Sequence, residues 1–209
     1  MIYYMLNKPR GLVCARTDRE SPTVMELFPE ESRKTLFPLG RLDKNTEGLL
    51  LVTDDGKLNR RLLDPEHHVE KQYFLWVAGE PTEAVCRAIR EGVRCKGLPD
   101  PTKPARFEVL ERGHLGDIAE LVFPIRREMA QEQPELPAFS AHLWLTEGKR
   151  HQVKRMLEAV GCTVVYLRRV AFGPLLLDEA LAPGQYRPLT EAEIGLLRAA
   201  AIPCHGSTQ

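Results

Sequence analysis

Three groups of residues in this chain carry side chains that could act on a substrate. The first centres on Asp43, in GRLDKNTEGLLLVTDDG, Gly40 to Gly56. Asp43 follows Arg41 and Leu42 and precedes a compact apolar run, a setting in which one carboxylate could be a nucleophile. The same stretch approaches a calcium loop, because Asp43, Asn45, Glu47, Gly48 and Asp54 fall near the D-x-[DN]-x-[DN]-G-x₅-E spacing. A calcium loop needs a helix on each side and a bidentate glutamate at its end. Here Phe37-Pro38-Leu39-Gly40 precedes the stretch, Leu49–Val52 looks like a strand, and Asp54 is one methylene short. A polar turn feeding a buried strand is the third reading.

The second group is GKRHQVKRM, Gly148 to Met156, where Lys149, Arg150, His151, Lys154 and Arg155 crowd the start of a helix. Cations there oppose the helix dipole, at roughly 0.3–1 kcal/mol each at exposed sites. A sequence shaped by stability alone would place acids there, so an anionic partner is the natural compensation. Between Gly148 and Val170 six basic residues (Lys149, Arg150, Lys154, Arg155, Arg168, Arg169) face one acid, Glu158. The alternative is an ordinary solvated helix face. The third group is Lys71-Gln72-Tyr73, opening an aromatic strand; beside a nucleic-acid site a tyrosine ring offers a stacking platform for an unpaired base.

The elements that must position these groups follow from periodicity and punctuation. Tyr3–Leu6 and Leu12–Ala15 are expected strands around the Lys8-Pro9-Arg10-Gly11 turn, with Thr23–Phe28 a helical turn or two. Gly48–Thr53 is a buried strand, and Lys57–Leu63 a short helix halted before Pro65. Lys71–Ala78 is a strand, and Pro81 opens a helix to Glu91 that Gly92 ends. Arg106–Glu111, Ile118–Phe123 and Ala141–Thr146 are further expected strands, with Pro124–Pro137 a polar surface loop. Arg150–Val160 is a helix with an apolar stripe of Val153, Met156, Leu157 and Val160. Thr163–Val170 and Leu175–Leu177 are strand-like, and a Thr190-to-Glu193 capping box starts a closing helix to Ala200. Strands interleaved with short helices, without βαβ repetition, predict an α+β fold with a mostly antiparallel or mixed sheet.

Composition narrows the class. The 209 residues are 43% apolar, enough for a sizeable core. With 29 basic and 29 acidic residues the chain does not coat nucleic acid by bulk charge, though a local basic face remains open. The five cysteines are scattered and form no CxxC pair, which fits a reducing cytoplasm rather than a zinc or disulfide framework. Cys14 and Cys162 read as buried thiols, and the adjacent His67 and His68 lack the partners of a metal site. No segment resembles a signal peptide or a membrane span.

Taken in order, MLNKPRGLVC, GRLDKNTEGLLLVTDDG, EKQY, EGKRHQVKRMLEAVG, VVYLRRVAFGPLLLD and GQYRPLT resemble the RsuA-like family of pseudouridine synthases over nearly the whole chain. The resemblance implies isomerisation of a uridine in ribosomal RNA to pseudouridine, with no cofactor and no metal. It implies one catalytic domain over residues 1–209, a long mixed sheet in two lobes with a cleft carrying Asp43. It places the catalytic aspartate at Asp43, the tyrosine at Tyr73, the active-site cation at Lys154 and a base-contacting leucine at Leu167. Arg41, Arg150, His151, Gln152 and Arg155 are the further candidates for RNA contacts, with Arg168 or Arg169 on flanking phosphates. Many relatives carry an N-terminal RNA-binding module, whereas this sequence opens directly on the catalytic motifs. The expected partner is ribosomal RNA or an assembly intermediate, met by a cytoplasmic monomer away from membranes. The small subunit is favoured by MLNKPRGLVC and HQVKRM. The rivals are large-subunit RNA as substrate, or a non-catalytic RNA-binding or ribosome assembly protein.

Overall fold

The computed structural model describes residues 1–64 and 69–202. His67 and His68 therefore lie outside the described residues, as does Cys204. The chain divides into two compact units, residues 1–71 with 169–209 and residues 72–168. The fold is α+β, and among the described residues no helix is long and apolar enough to cross a membrane.

In the first unit β1 (Tyr3–Lys8) pairs antiparallel with β3 (Glu47–Thr53), Tyr3 opposite Thr53 and Lys8 opposite Gly48. β2 (Phe37–Leu39) lies along β3, and β9 (Tyr186–Pro188) along β1, both antiparallel. One face of these strands buries Tyr3, Met5, Leu49 and Leu51 against Leu58 and Leu62 of α2 (Gly56–Leu63). Ile194 and Leu197 of α6 (Glu191–Ala200) join the same core. On another face the rings of Tyr4, Phe28 and Tyr186 cluster with centroids 4.2–5.5 Å apart. A four-residue helix, α1 (Glu30–Arg33), and a 3-10 turn (Val24–Leu27) with a Thr23–Glu26 capping box complete the unit's helical parts.

The second unit orders its strands β5-β6-β4-β7, for β4 (Lys71–Ala78), β5 (Arg106–His114), β6 (Pro137–Leu145) and β7 (Thr163–Phe172). The end of β7 belongs to the first unit, where it pairs with β8 (Leu175–Leu176). Alternation along β4 and β6 sends Leu75, Val77, Phe139, Ala141, Leu143 and Leu145 to one face. There they meet Cys86 and Ile89 of α3 (Glu83–Glu91) and Val153, Met156 and Leu157 of α5 (Gln152–Ala159). The opposite face, with Trp76, Ala78 and Ala138, packs under Leu115, Ile118, Val122 and Ala130.

Three expectations are corrected here. Leu12–Ala15 forms no strand, only a single parallel bridge from Val13 to Thr23. Ile118–Phe123 is likewise no strand: Leu115–Ile118 is a 3-10 turn started by the Asp117 carboxylate accepting the His114 N–H at 3.0 Å. Pro124–Pro137, expected as a loop, holds a 3-10 turn and α4 (Arg127–Glu132), with Ala130 buried.

The capping box at α6 is present and is tied into an ion-pair network. Arg187 donates to Glu193 at 2.8 and 2.9 Å and to Asp178 at 2.6 Å, while Thr190 N donates to Glu193 at 2.7 Å. The Arg187 hydrogen bonds hold the Glu193 carboxyl down to about 2, against a burial effect that raises it. A depressed carboxylate contributes stability above its unfolded value, near 4.5, that is lost as pH falls toward the folded one. Glu193→Gln is therefore expected to cost stability at pH 6 and to flatten the loss between about pH 4.5 and 2, as read by urea midpoints against pH.

Candidate functional site

Asp43 sits on a turn held from several sides within the first unit. Thr46 N donates back to Asp43 O at 3.0 Å and closes the turn, and Gly11 N donates to Lys44 O at 2.9 Å. Leu42 is buried, and its N–H donates to the Cys14 thiol at 3.3 Å. Behind the turn lies Lys8, 0% exposed, whose ammonium donates to Pro9 O, Lys44 O and Thr46 O at 2.9, 3.0 and 2.9 Å. A buried ammonium is tolerated only when its protons find acceptors, and three backbone carbonyls supply them. The Asp43 side chain is half-buried, beside the exposed Arg41.

The other acids of the opening stretch have separate partners. Glu47 pairs with Arg10, Asp54 accepts from Ile2 N at 2.7 Å, and Asp55 caps α2 through the N–H groups of Lys57 and Leu58. Among the described residues no group of three or more acids, histidines or cysteines could hold a metal ion.

The surroundings of the turn are cationic. Burial pushes the Cys14 thiol up, while the Leu42 N–H and the charges of Lys8, Arg169 and Arg41 pull it down. Of the two alternatives for a flanking phosphate, Arg168 and Arg169, the second is turned into the protein. It is 3% exposed, and its Nε donates to Leu49 O at 2.8 Å.

In the second unit, Tyr73 of β4 packs against the apolar core that also contains Leu167 of β7 and Val153 and Met156 of α5. Leu167 is itself buried in that core. Lys154, on the first turn of α5, places its ammonium 5.2 Å from the centre of the Phe123 ring. The helix starts abruptly. His151 is its N-cap in a left-handed conformation (φ 54°), the one non-glycine positive φ among the described residues. Backbone strain of this kind costs on the order of 1–3 kcal/mol and collects at functional sites.

Two of the residues expected on RNA also have partners within the protein. Gln152 is 4% exposed: its amide donates to Glu147 at 2.6 Å and accepts from Lys149 N at 2.9 Å, clamping the turn before α5. Arg155 is half-buried and donates to Gly97 O at 3.2 Å. Arg150 and His151 are exposed. Lys8, which holds the turn from behind, was not singled out by spacing, because a lysine before Pro-Arg-Gly reads as a solvated turn.

The structure thus groups Tyr73, Leu167 and Lys154 on one unit and Arg41 and Asp43 on the other. The first unit offers a carboxylate on a hydrogen-bonded turn, and the second an aromatic ring and a cationic helix start. Residues 2–159 match the family described as RNA pseudouridylate synthase, and the chain belongs to that family. Among its relatives, the ribosomal small subunit pseudouridine synthase A of Haemophilus influenzae is 38% identical over 92% of this chain and 72% of its own. That of Salmonella typhimurium is 40% identical with the same coverage. An uncharacterized RNA pseudouridine synthase of Bacillus subtilis is 43% identical over 94% of this chain and 73% of its own. A crystal structure of a pseudouridylate synthase superposes with a TM-score of 0.78 at 38% identity, covering 94% of this chain and 73% of that one.

Proposed function

We propose that this protein isomerises a uridine of small-subunit ribosomal RNA to pseudouridine, acting in the cytoplasm as a monomer. The observation that carries the reading is the half-buried Asp43 on its clamped turn in a cationic setting. The relatives named for the small subunit support the substrate. In this reading the target nucleotide is flipped out of the RNA, at an unstacking cost of a few kcal/mol. Tyr73 stacks on the freed base, and Leu167 backs the base from within the core. Asp43 attacks the sugar or supports the expelled base, and Asp43 or Tyr73 takes the proton from carbon-5 at rejoining. A pure RNA binder has no use for a carboxylate amid phosphates, which disfavours the assembly-factor alternative.

The test is a map of pseudouridine in ribosomal RNA from cells with and without the gene. One position of the small-subunit RNA is expected to lose its modification on deletion and to regain it with the wild type but not with Asp43→Asn. Loss of a large-subunit position would reassign the substrate, and an unchanged map would remove the enzymatic reading.

A further inference from the structure

The segment between α3 and β5 is a closed loop docked on the start of α5. Val93 N donates to Thr102 Oγ1, and Thr102 N to Val93 O, both at 2.9 Å, so residues 93 and 102 pin the loop's neck. Gly92 is required there: its φ is 101°, and a Cβ would meet Thr102 O at 2.3 Å. Within the loop the side chains alternate. Val93 and Cys95 enter the core, whereas Arg94 and Lys96 stand exposed on the other side.

The helix start grips this loop by its backbone. Arg155 donates to Gly97 O at 3.2 Å, and Lys149 donates to Pro101 O at 2.9 Å and Asp100 O at 3.4 Å. Glu147 accepts from Lys103 N at 2.8 Å and pairs with Lys149 at 3.4 Å. Lys149 and Arg155 of the helix start are thus used to fix the loop.

Arg94 and Lys96 are exposed on the loop that Lys149 and Arg155 hold, and Arg150 is exposed at the helix start. From Gly92 to Lys103 the loop has three cations (Arg94, Lys96, Lys103) and one acid, Asp100. Glu147 is already shared between Lys149, Gln152 and the loop's own N–H. Bringing like charges within a Debye length of about 8 Å costs energy unless a polyanion spans them.

We propose that Arg94 and Lys96, with Arg150, form a phosphate-binding strip for the substrate RNA backbone. The strip positions RNA without reading its bases, as backbone contacts do. This inference rests on the RNA-modifying reading, and its test separates the two.

The experiment measures binding of a small-subunit ribosomal RNA fragment that the wild type modifies, from about 50 to 300 mM salt, the range over which phosphate contacts weaken. The double variant Arg94→Ala/Lys96→Ala is expected to bind about tenfold more weakly at low salt. The slope of log affinity against log salt should fall by roughly 1.5, as for two lost phosphate contacts. Arg60→Ala/Arg61→Ala, an equal charge loss on exposed residues of α2, is the control and should leave the slope unchanged. An unaltered slope in the loop variant, or an equal fall in the control, overturns the strip. Failure of the wild type to modify any ribosomal RNA would instead overturn the function on which it rests.

Discussion

Asp43→Asn is expected to bind ribosomal RNA and convert none of it. The substitution keeps the shape of the side chain and one acceptor oxygen, and it leaves the Thr46 N to Asp43 O bond, which is backbone to backbone, untouched. Stability should therefore change by only about 0.5 kcal/mol, as for most substitutions that neither open a cavity nor strand a buried group. RNA affinity should hold or rise slightly, because an anion facing phosphates has been neutralised. What is lost is the charge that attacks or stabilises the sugar. Removing the reacting group of a covalent or electrostatic mechanism costs on the order of 10⁴-fold or more, about 5.5 kcal/mol of transition-state stabilisation. Single-turnover conversion of a saturating RNA, measured beside binding and thermal unfolding, reads all three quantities. Turnover within tenfold of wild type would return Asp43 to a structural turn residue.

Much of the fold could be read from the chain because its signals are local. The α6 start needs only Thr190 and Glu193, and its capping box is present as spelled. Gly48–Thr53 is a strand because its apolar run is buried along its length, and the helix after it is capped by Asp55. The failures share a cause, which is that pairing or packing decided what local sequence left open. Tyr186–Pro188 contains a proline and only three residues, and it is a strand because β1 offers Met5 and Leu6 as partners. The apolar residues Ile118 to Phe123 looked like a strand, yet the Asp117 cap and the packing of Gly116 on Pro134 bend that segment into a turn.

The candidate site divides in the same way. Asp43, Tyr73 and the basic helix start declare themselves by charge and aromaticity in local windows. Arg168 and Arg169 stayed open as alternatives for a phosphate because β7 alternation alone does not say which side is covered; the structure turns Arg169 inward to Leu49 O. Arg155 was read as a candidate RNA contact, and its bond to Gly97 O was not legible because Gly97 is 58 residues away. Lys8 was missed for the same reason, since two of its three acceptors lie 36 and 38 residues along the chain.

Lys8→Met is expected to disable the enzyme without touching the substrate. The ammonium is fully buried, and its desolvation cost of several kcal/mol is offset in part by its three carbonyl partners. Methionine fills nearly the same volume and removes charge and donors together, so no unpaired buried charge is left behind. Lys44 O keeps the Gly11 N–H, but the hydrogen bonds from the ammonium to Pro9 O and Thr46 O are gone. At about 1.5–3 kcal/mol for a hydrogen bond to a charged group, offset by the recovered desolvation, the net loss is about 2–3 kcal/mol. That leaves the domain folded at room temperature while freeing the backbone on both sides of Asn45. A displacement of about 1 Å in a reacting group costs on the order of 10²-fold in rate. The variant should therefore unfold at lower urea, bind RNA with near wild-type affinity, and convert it on the order of 10²-fold more slowly at a temperature where it is folded. Wild-type turnover in the folded variant would show that the carbonyl cage does not aim Asp43. A loss of RNA binding equal to the loss of rate would show that Lys8 supports the RNA surface instead.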